Sequence, residues 1–146
     1  PHLLPYFFLF TGIMVLSTKF IKTKNSSITY SKAFIIGLFQ ALAILPAISR
    51  SGGTIFSALI LGLSPQNAFN FSFCLFIPAT FGAIVLSLKD IATSNFTTLN
   101  NLFAFLTTTI VGYFVLNYFQ KITINKKFWV FGVYTILLSV VLFFIL

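Results

Sequence analysis

The chain has 146 residues, of which 58% are hydrophobic and 7% charged, and nine basic residues face one acid for a formal net charge of +8. Water-soluble domains carry about 25% charged residues, so this composition excludes a surface covered for water and points to lipid as the solvent. The positive balance does not indicate a nucleic-acid partner, because the lysines sit between apolar runs rather than along one face and read as cytoplasmic loop anchors.

The first apolar stretch, Leu3–Thr18, is a short membrane span. No basic run precedes its core, Leu3–Leu16, and no small-residue cleavage site follows, so it is not expected to be a signal peptide. A start at Pro1 rather than Met fits a trimmed chain or a piece of a longer protein. The linker Lys19–Lys32 then holds Lys19, Lys22, Lys24 and Lys32 with Asn25, Ser26 and Ser27.

The next segment, Ala33–Leu63, is apolar at both ends but broken at its centre by Leu45-Pro46-Ala47-Ile48-Ser49-Arg50-Ser51-Gly52-Gly53-Thr54. Pro46 removes a backbone donor and disfavours helix at the residue before it. The pair Gly52-Gly53 weakens helix on the other side. The remaining halves, Ala33–Leu45 and Thr54–Leu61, are each too short to cross, so the segment either spans with a break or enters and returns on one side. Three more spans follow at Ala68–Leu88, Leu102–Phe119 and Phe128–Leu146. Between them lie Lys89–Asn101, whose formal charges cancel, and Lys121–Lys127, with three lysines. Cys74, alone in an apolar run, reads as a helix-packing residue and excludes an intrachain disulfide.

Lysine counting separates the two arrangements. If Ala33–Leu63 crossed fully, the two basic linkers would lie on opposite sides. If it re-enters, both lie on one side and the charge-balanced linker on the other, as the positive-inside rule prefers. Both basic linkers are therefore expected in the cytoplasm and the C-terminus outside. Irregular backbone at membrane depth is tolerated only when buried in protein or lining a wet cavity, so a re-entrant loop implies a cavity.

Arg50 is the most informative residue, because a charge inside a membrane segment costs at least about 2.5–3.5 kcal/mol on insertion scales. Around it stand the short hydroxyl donors Ser49, Ser51 and Thr54. Gly52 and Gly53 would let a ligand approach the backbone, and Thr54 would open a half-helix whose first amides are free. Together these suit an anion with several oxygens, phosphate above all. Gln40, in the first half-helix, either bonds a neighbour or lines the phosphate cavity. Asn67 and Asn70 read as interfacial or packing groups, the phenylalanines as lipid-facing or packed, and His2 as remote from the motif. A hydrolase needs a nucleophile and a base. Ser49, Ser51 or Thr54 could be the first, but the only carboxylate side chain is Asp90, in the outer linker. One carboxylate also makes a poor site for Mg²⁺ or Ca²⁺. The chain is expected to bind phosphate and not to hydrolyse it alone.

The run from Gly37 to Ile55, Gly-Leu-Phe-Gln-Ala-Leu-Ala-Ile-Leu-Pro-Ala-Ile-Ser-Arg-Ser-Gly-Gly-Thr-Ile, closely resembles the second signature of the undecaprenyl-diphosphate phosphatases, the bacitracin-resistance family. Leu61-Gly62-Leu63-Ser64 and the stretch Phe71–Ala79 also resemble the sequence that follows that signature, so the similarity is strong over Ser31–Ala79. The resemblance implies an all-α integral membrane fold of two inverted repeats, each with one re-entrant hairpin and three spanning helices. Residues 1–18 would be the last helix of repeat one and residues 31–146 the whole of repeat two, giving four spanning helices plus one re-entrant helix-loop-helix in a single membrane domain.

By the same resemblance Arg50 grips the diphosphate with help from Ser49, Ser51 and Thr54. The glutamate-rich first signature, and with it the ligands for a divalent cation (Mg or Ca), would belong to a missing N-terminal half. The implied activity is hydrolysis of undecaprenyl diphosphate to the monophosphate and phosphate at the bacterial inner membrane, recycling the lipid carrier for cell-wall synthesis and conferring bacitracin resistance. Prenyl chain length and oligomeric state stay open. The alternative is a lipid-phosphate transporter or flippase module, since broken helices at the midplane are also transporter architecture. One departure stands out: the family usually has Gly after the motif proline, where this chain has Ala47. A positive φ there would strain Ala by roughly 1 kcal/mol.

Overall fold

The computed structural model describes residues 3–93 and 98–145, and their side chains outside 89–98. His2, Ser94, Leu146 and the side chain of Asp90 lie outside the described residues. All the regular structure described is helical: α1 Leu4–Ser17, α2 Tyr30–Leu42, α3 Arg50–Ile60, α4 Pro65–Thr93, α5 Thr98–Ile124 and α6 Trp129–Ile145, with one 3₁₀ turn at Thr18–Phe20.

Helices α1 and α6 pack antiparallel. Ser139 Oγ donates to Pro5 O at 2.6 Å near one end, and Lys19 Nζ lies 4.6 Å from the Trp129 ring centroid at the other. Between these ends the backbones meet at Gly12 and Gly132. A Cβ on Gly132 would stand 2.5 Å from Leu16 N, and one on Gly12 2.5 Å from Ile136 Cγ1. In lipid, helices gain little by leaving an apolar solvent, so close approach through small residues carries their association.

Helices α2 and α3 form a hairpin whose boundaries differ from those expected. Helix α2 ends at Leu42, three residues before Leu45, and tight turns take over: Ala43 N, Ile44 N and Leu45 N each donate to the carbonyl three residues back, at 3.1 Å. Residue 45 precedes proline and is driven out of the helical region, and the tightening begins a turn earlier. Helix α3 begins at Arg50, not Thr54, because Ser49 caps it: Ser49 Oγ accepts from Gly52 N at 3.1 Å. A good cap outweighs the low propensity of two glycines in the first turn.

Short as it is, α3 lies at the centre, against α1, α2 and α4, with Ile55 and Ala58 fully buried. The core around it comprises Val15, Ile36, Ile55, Ala58, Leu59, Leu63, Ala68, Phe69 and Phe128. Phe69, Phe73, Phe119, Phe128 and Phe131 extend this core as an aromatic cluster joining α4, α5 and α6, with Phe119 5.2 Å from Phe131 and 5.9 Å from Phe69 by ring centroid.

The linker before α2 is fastened to the α3–α4 turn. Lys24 N and Ser26 N donate to Gly62 O at 3.3 and 3.0 Å, and Ser26 Oγ donates to Leu61 O at 3.2 Å. Lys32 Nζ in turn donates to Ser26 Oγ at 2.7 Å. The hairpin thus begins and ends at one level, while its turn reaches the middle of α1, where Thr11 Oγ1 donates to Ala47 O at 3.2 Å. Ala47 has φ 65°, so the strain raised by the absent glycine is present.

Helices α4 and α5 are longer than expected. Pro65 opens α4 at a position where its missing N–H costs nothing, and Ser64 Oγ accepts from Asn67 N at 3.2 Å. Gln66 Nε2 donates to Asn70 Oδ1 at 3.0 Å on the exposed surface. Within α4 and α5, Pro65–Leu88 and Leu99–Ile124 are long and apolar enough to cross a bilayer, with mean hydropathy 2.1 and 1.6. Their outer parts are bare: Phe81, Phe103, Phe105 and Phe114 are each more than 60% exposed. Contiguous apolar surface on this scale marks contact with something other than water. Cys74 is exposed on α4, so its expected role in packing is not met.

Candidate functional site

The break between α2 and α3 places a helix N-terminus among three cavities. Ser49 is the cap, Arg50 the first helical residue and Ser51 the second. The Ser49 hydroxyl occupies Gly52 N, and Ser49 O accepts from Gly53 N at 2.9 Å. That leaves the amides of Arg50 and Ser51 as the orphan donors of the helix end, where the macrodipole also favours an anion.

Arg50 is exposed and reaches between α2 and α4, its Cζ 5.6 Å from the Phe76 ring centroid. On one side it lines a cavity of about 200 Å³ with Ser51, Ser72, Phe73 and Phe76. On the other it lines a cavity of about 300 Å³ with Gln40, Gly37, Ile44 and Ala79. A third space, of about 240 Å³, brings Ser49 and Ser51 against Thr11 and the rings of Phe119, Phe131 and Tyr134. A guanidinium, serine hydroxyls and a helix N-terminus thus stand together within apolar walls, the kinds of group that favour a multiply charged oxyanion.

Arg50, Ser49, Ser51 and Gln40 each line one or more of these cavities, and Thr54, Gly52 and Gly53 lie behind them. Thr54 is 1% exposed, and its hydroxyl is engaged inside the protein with Arg50 O at 3.0 Å and with the Ser72 hydroxyl. It stands behind the cavity as a brace, because α3 starts a full turn earlier than the glycine pair suggested. Gly52 and Gly53 are buried against protein, not open to a ligand. A Cβ at 52 would meet Ser49 Cβ at 2.9 Å and Val15 Cγ2 at 3.2 Å, and one at 53 would meet Phe39 O at 3.4 Å. Their smallness serves the cap and the packing of α3 on α1 and α2.

Gln40 has a definite polarity. Its Nε2 donates to Leu75 O at 3.4 Å, so Oε1 is turned inward, and this atom is buried without a partner. Oε1 can only accept. It suits a donor such as the Arg50 guanidinium, which lines the same cavity, and not a phosphate oxygen.

Sequence reasoning missed Ser72, Phe76 and Thr11. Ser72 carried a signal, a hydroxyl in the otherwise apolar run Phe71–Ala79. Thr11 carried none, since its partner is a backbone carbonyl 36 positions away.

Among the described residues no three His, Cys, Asp or Glu side chains come together. The groups around Arg50 are a guanidinium, hydroxyls and one amide oxygen, a donor set that does not fit a divalent cation.

Fold and site together define an all-helical protein with apolar, membrane-type surfaces and Arg50-lined cavities at a broken helix pair. Residues 1–141 match the family described as "Bacitracin resistance protein BacA", and the chain belongs to that family. It is 38% identical over 145 residues to an undecaprenyl-diphosphatase of Thermosipho africanus, covering 98% of this chain and 57% of that protein. It is 40% identical over 147 residues to one of Methanococcus maripaludis, covering 99% and 56%. A third, from Borreliella burgdorferi, is 38% identical over 140 residues, covering 92% and 52%. The chain thus spans about half the length of the curated relatives it matches. No solved structure matches it.

Proposed function

We propose that this chain is the phosphate-gripping half of an enzyme that hydrolyses undecaprenyl diphosphate to undecaprenyl phosphate and phosphate in the bacterial inner membrane. The observation that carries the reading is Arg50 at the capped N-terminus of α3, facing hydroxyl-lined cavities with aromatic walls. In this reading Arg50 and the amides of Arg50 and Ser51 hold phosphate oxygens, neutralising charge as the leaving group departs. Ser51 donates to the same group, while Ser72 gives its one proton to Thr54 Oγ1, whose own proton goes to Arg50 O. Ser49 holds the helix end, Thr54 braces Ser72, and Gly52 and Gly53 let α3 sit close enough for both. The carboxylates that supply a base and hold Mg or Ca belong to residues outside this chain, and no step is assigned to a metal here.

The membrane arrangement follows the same reading. Helices α1, α4, α5 and α6 span the bilayer and the α2–α3 hairpin re-enters from the cytoplasm. Residues 1–18 close one repeat and residues 31–146 form the next. Support comes from the linker–turn bonds that bring both ends of the hairpin to one level. The name shared by the relatives favours hydrolysis over a transport module.

The test is substitution of Arg50 in the intact enzyme. A guanidinium engages two oxygens at once where an ammonium is a point charge, and hydrogen bonds to charged groups are worth about 1.5–3 kcal/mol. Arg50→Lys is expected to lose roughly 10-fold or more in kcat/KM, and Arg50→Ala more again. Wild-type kcat/KM in well-folded Arg50→Lys would exclude the bidentate clamp.

A further inference from the structure

The space of about 240 Å³ between α1, α3, α5 and α6 is only partly explained by a grip on phosphate. Packed core borders it, Val15 and Phe128 being 3% and 4% exposed, and the rings of Phe119, Phe131 and Tyr134 complete its apolar wall. Four serine and threonine hydroxyls also border it, and two of them are spent inside the protein. Thr11 Oγ1 donates to Ala47 O at 3.2 Å and Thr135 Oγ1 to Phe131 O at 2.7 Å. Apart from the phenol of Tyr134, polarity is left only at Ser49 and Ser51, on the N-terminus of α3.

Ser51 also lines the Arg50 cavity on the α4 side, so the two spaces adjoin at this residue. They adjoin again at an aromatic pair. Phe73 lines the Arg50 cavity and Phe119 the second space, with ring centroids 6.2 Å apart. A void of this size in a core is unfavourable, because its lining forgoes packing contacts. Away from the serines its walls give water too few partners, and a dry apolar cavity of about 150 Å³ already takes up benzene, so this space has room for roughly one or two five-carbon units.

We infer that this space receives the first isoprene units of the prenyl chain while the diphosphate lies at Arg50, so that Phe119, Phe131 and Tyr134 select for a prenyl lipid. The inference rests on the diphosphate reading of Arg50. A prenyl diphosphate is charged at one end and apolar from the next carbon on. The adjoining spaces repeat that order: guanidinium and free amides, then serine hydroxyls, then aromatic rings. The cavity on the α2 side of Arg50 is lined by Gly37, Gln40, Ile44 and Ala79 and offers no such wall. Tyr134, 65% exposed on α6, marks the side on which the rest of the chain leaves for the bilayer.

The experiment uses the intact enzyme, with farnesyl diphosphate as substrate and inorganic diphosphate, which has no chain, as competitor. Thr135→Trp fills the space from α6. It is expected to raise KM for farnesyl diphosphate about tenfold or more, the scale of a lost hydrocarbon contact in a binding pocket, and to leave Ki for inorganic diphosphate unchanged. Thr135→Val removes the hydroxyl, keeps the volume and is expected to change neither. An unchanged KM in Thr135→Trp, or KM and Ki rising together, overturns the inference. Should Thr135→Trp fail to fold, a prenyl diphosphate analogue with a diazirine on its first isoprene unit decides the matter in the unaltered enzyme. Labelling of α5 and α6 that farnesyl diphosphate competes away is expected. Labelling confined to α4 or to residues outside this chain, or labelling indifferent to the competitor, overturns the inference. The headgroup reading fails separately: Arg50→Ala would then leave Ki for inorganic diphosphate unchanged, while the KM shift in Thr135→Trp would persist.

Discussion

At the scale of single residues, the decisive feature is the direction in which polar atoms point. From sequence alone Gln40 was an amide near a cationic motif, with both of its ends equivalent. In the structure its Nε2 is taken by Leu75 O and its Oε1 is buried without a partner, while Gln40 as a residue lines one of the Arg50 cavities. An acceptor at this position can receive an Arg50 N–H and not a phosphate oxygen, and the following variants test whether it does. Gln40→Leu, which leaves the guanidinium unsupported, is expected to reduce kcat/KM about 10-fold. Gln40→Glu should bind the guanidinium strongly enough to divert it, raising KM for the diphosphate more than it lowers kcat. Steady-state kinetics of both variants checks this; an unchanged KM in Gln40→Glu would leave Gln40 a purely structural bond to α4. The charge and hydroxyls of Ser49, Arg50 and Ser51 were legible in the sequence because their types and spacing already carry the chemistry. Thr54 was misplaced because the cap that decides where α3 starts depends on the Ser49 side chain, and helix propensity alone favoured a later start.

At the scale of elements, apolar length predicted which stretches are helices and little about how they touch. All four expected spans and both halves of the broken segment are helical, with ends shifted by caps, prolines and turn bonds. The antiparallel α1–α6 pair could not be read, since Gly12 and Gly132 are isolated glycines far apart in the chain. Their role lies in the crossing point. Gly132→Ala would place a methyl carbon 2.5 Å from a backbone nitrogen, which cannot move aside as a side chain could. Forcing the two helices apart is expected to destabilise the protein by about 1–3 kcal/mol, the range for overpacking. Gly82→Ala is the matched control, because nothing lies within 4 Å of its Cβ position. In mid-helix it should be neutral or stabilising by up to roughly 1 kcal/mol. Thermal unfolding in detergent distinguishes the two, and equal midpoints would mean that α1 and α6 are not held at the glycines.

At the scale of the whole molecule, two features belong together: the chain's carboxylate poverty and the gathering of its lysines. The described side chains include no acid, and Asp90 lies on the outer part of α4. Residues 1–146 alone are therefore expected to bind a polyprenyl diphosphate without releasing phosphate, since a base or metal ligand is lacking at Arg50. Turnover above an Arg50→Ala control of the same length would show that a base has been overlooked. The lysines argue for orientation. Lys24 is tied through its backbone to Gly62, and Lys126 lines the same pocket as Lys19 and Thr23. The two basic linkers thus lie at one end of the bundle, although the chain between them runs through α2, α3, α4 and α5. Two of those helices form a hairpin that returns to its starting level, and the other two go out and back. On the membrane arrangement proposed above, the positive-inside rule would place that end in the cytoplasm. In a Cys74→Ala background, Lys24→Cys and Lys126→Cys are expected to resist a membrane-impermeant thiol reagent in intact cells and to label after permeabilisation. Labelling of Lys126→Cys from outside, with Lys24→Cys still protected, would require an odd number of crossings between them and rule out the re-entrant hairpin.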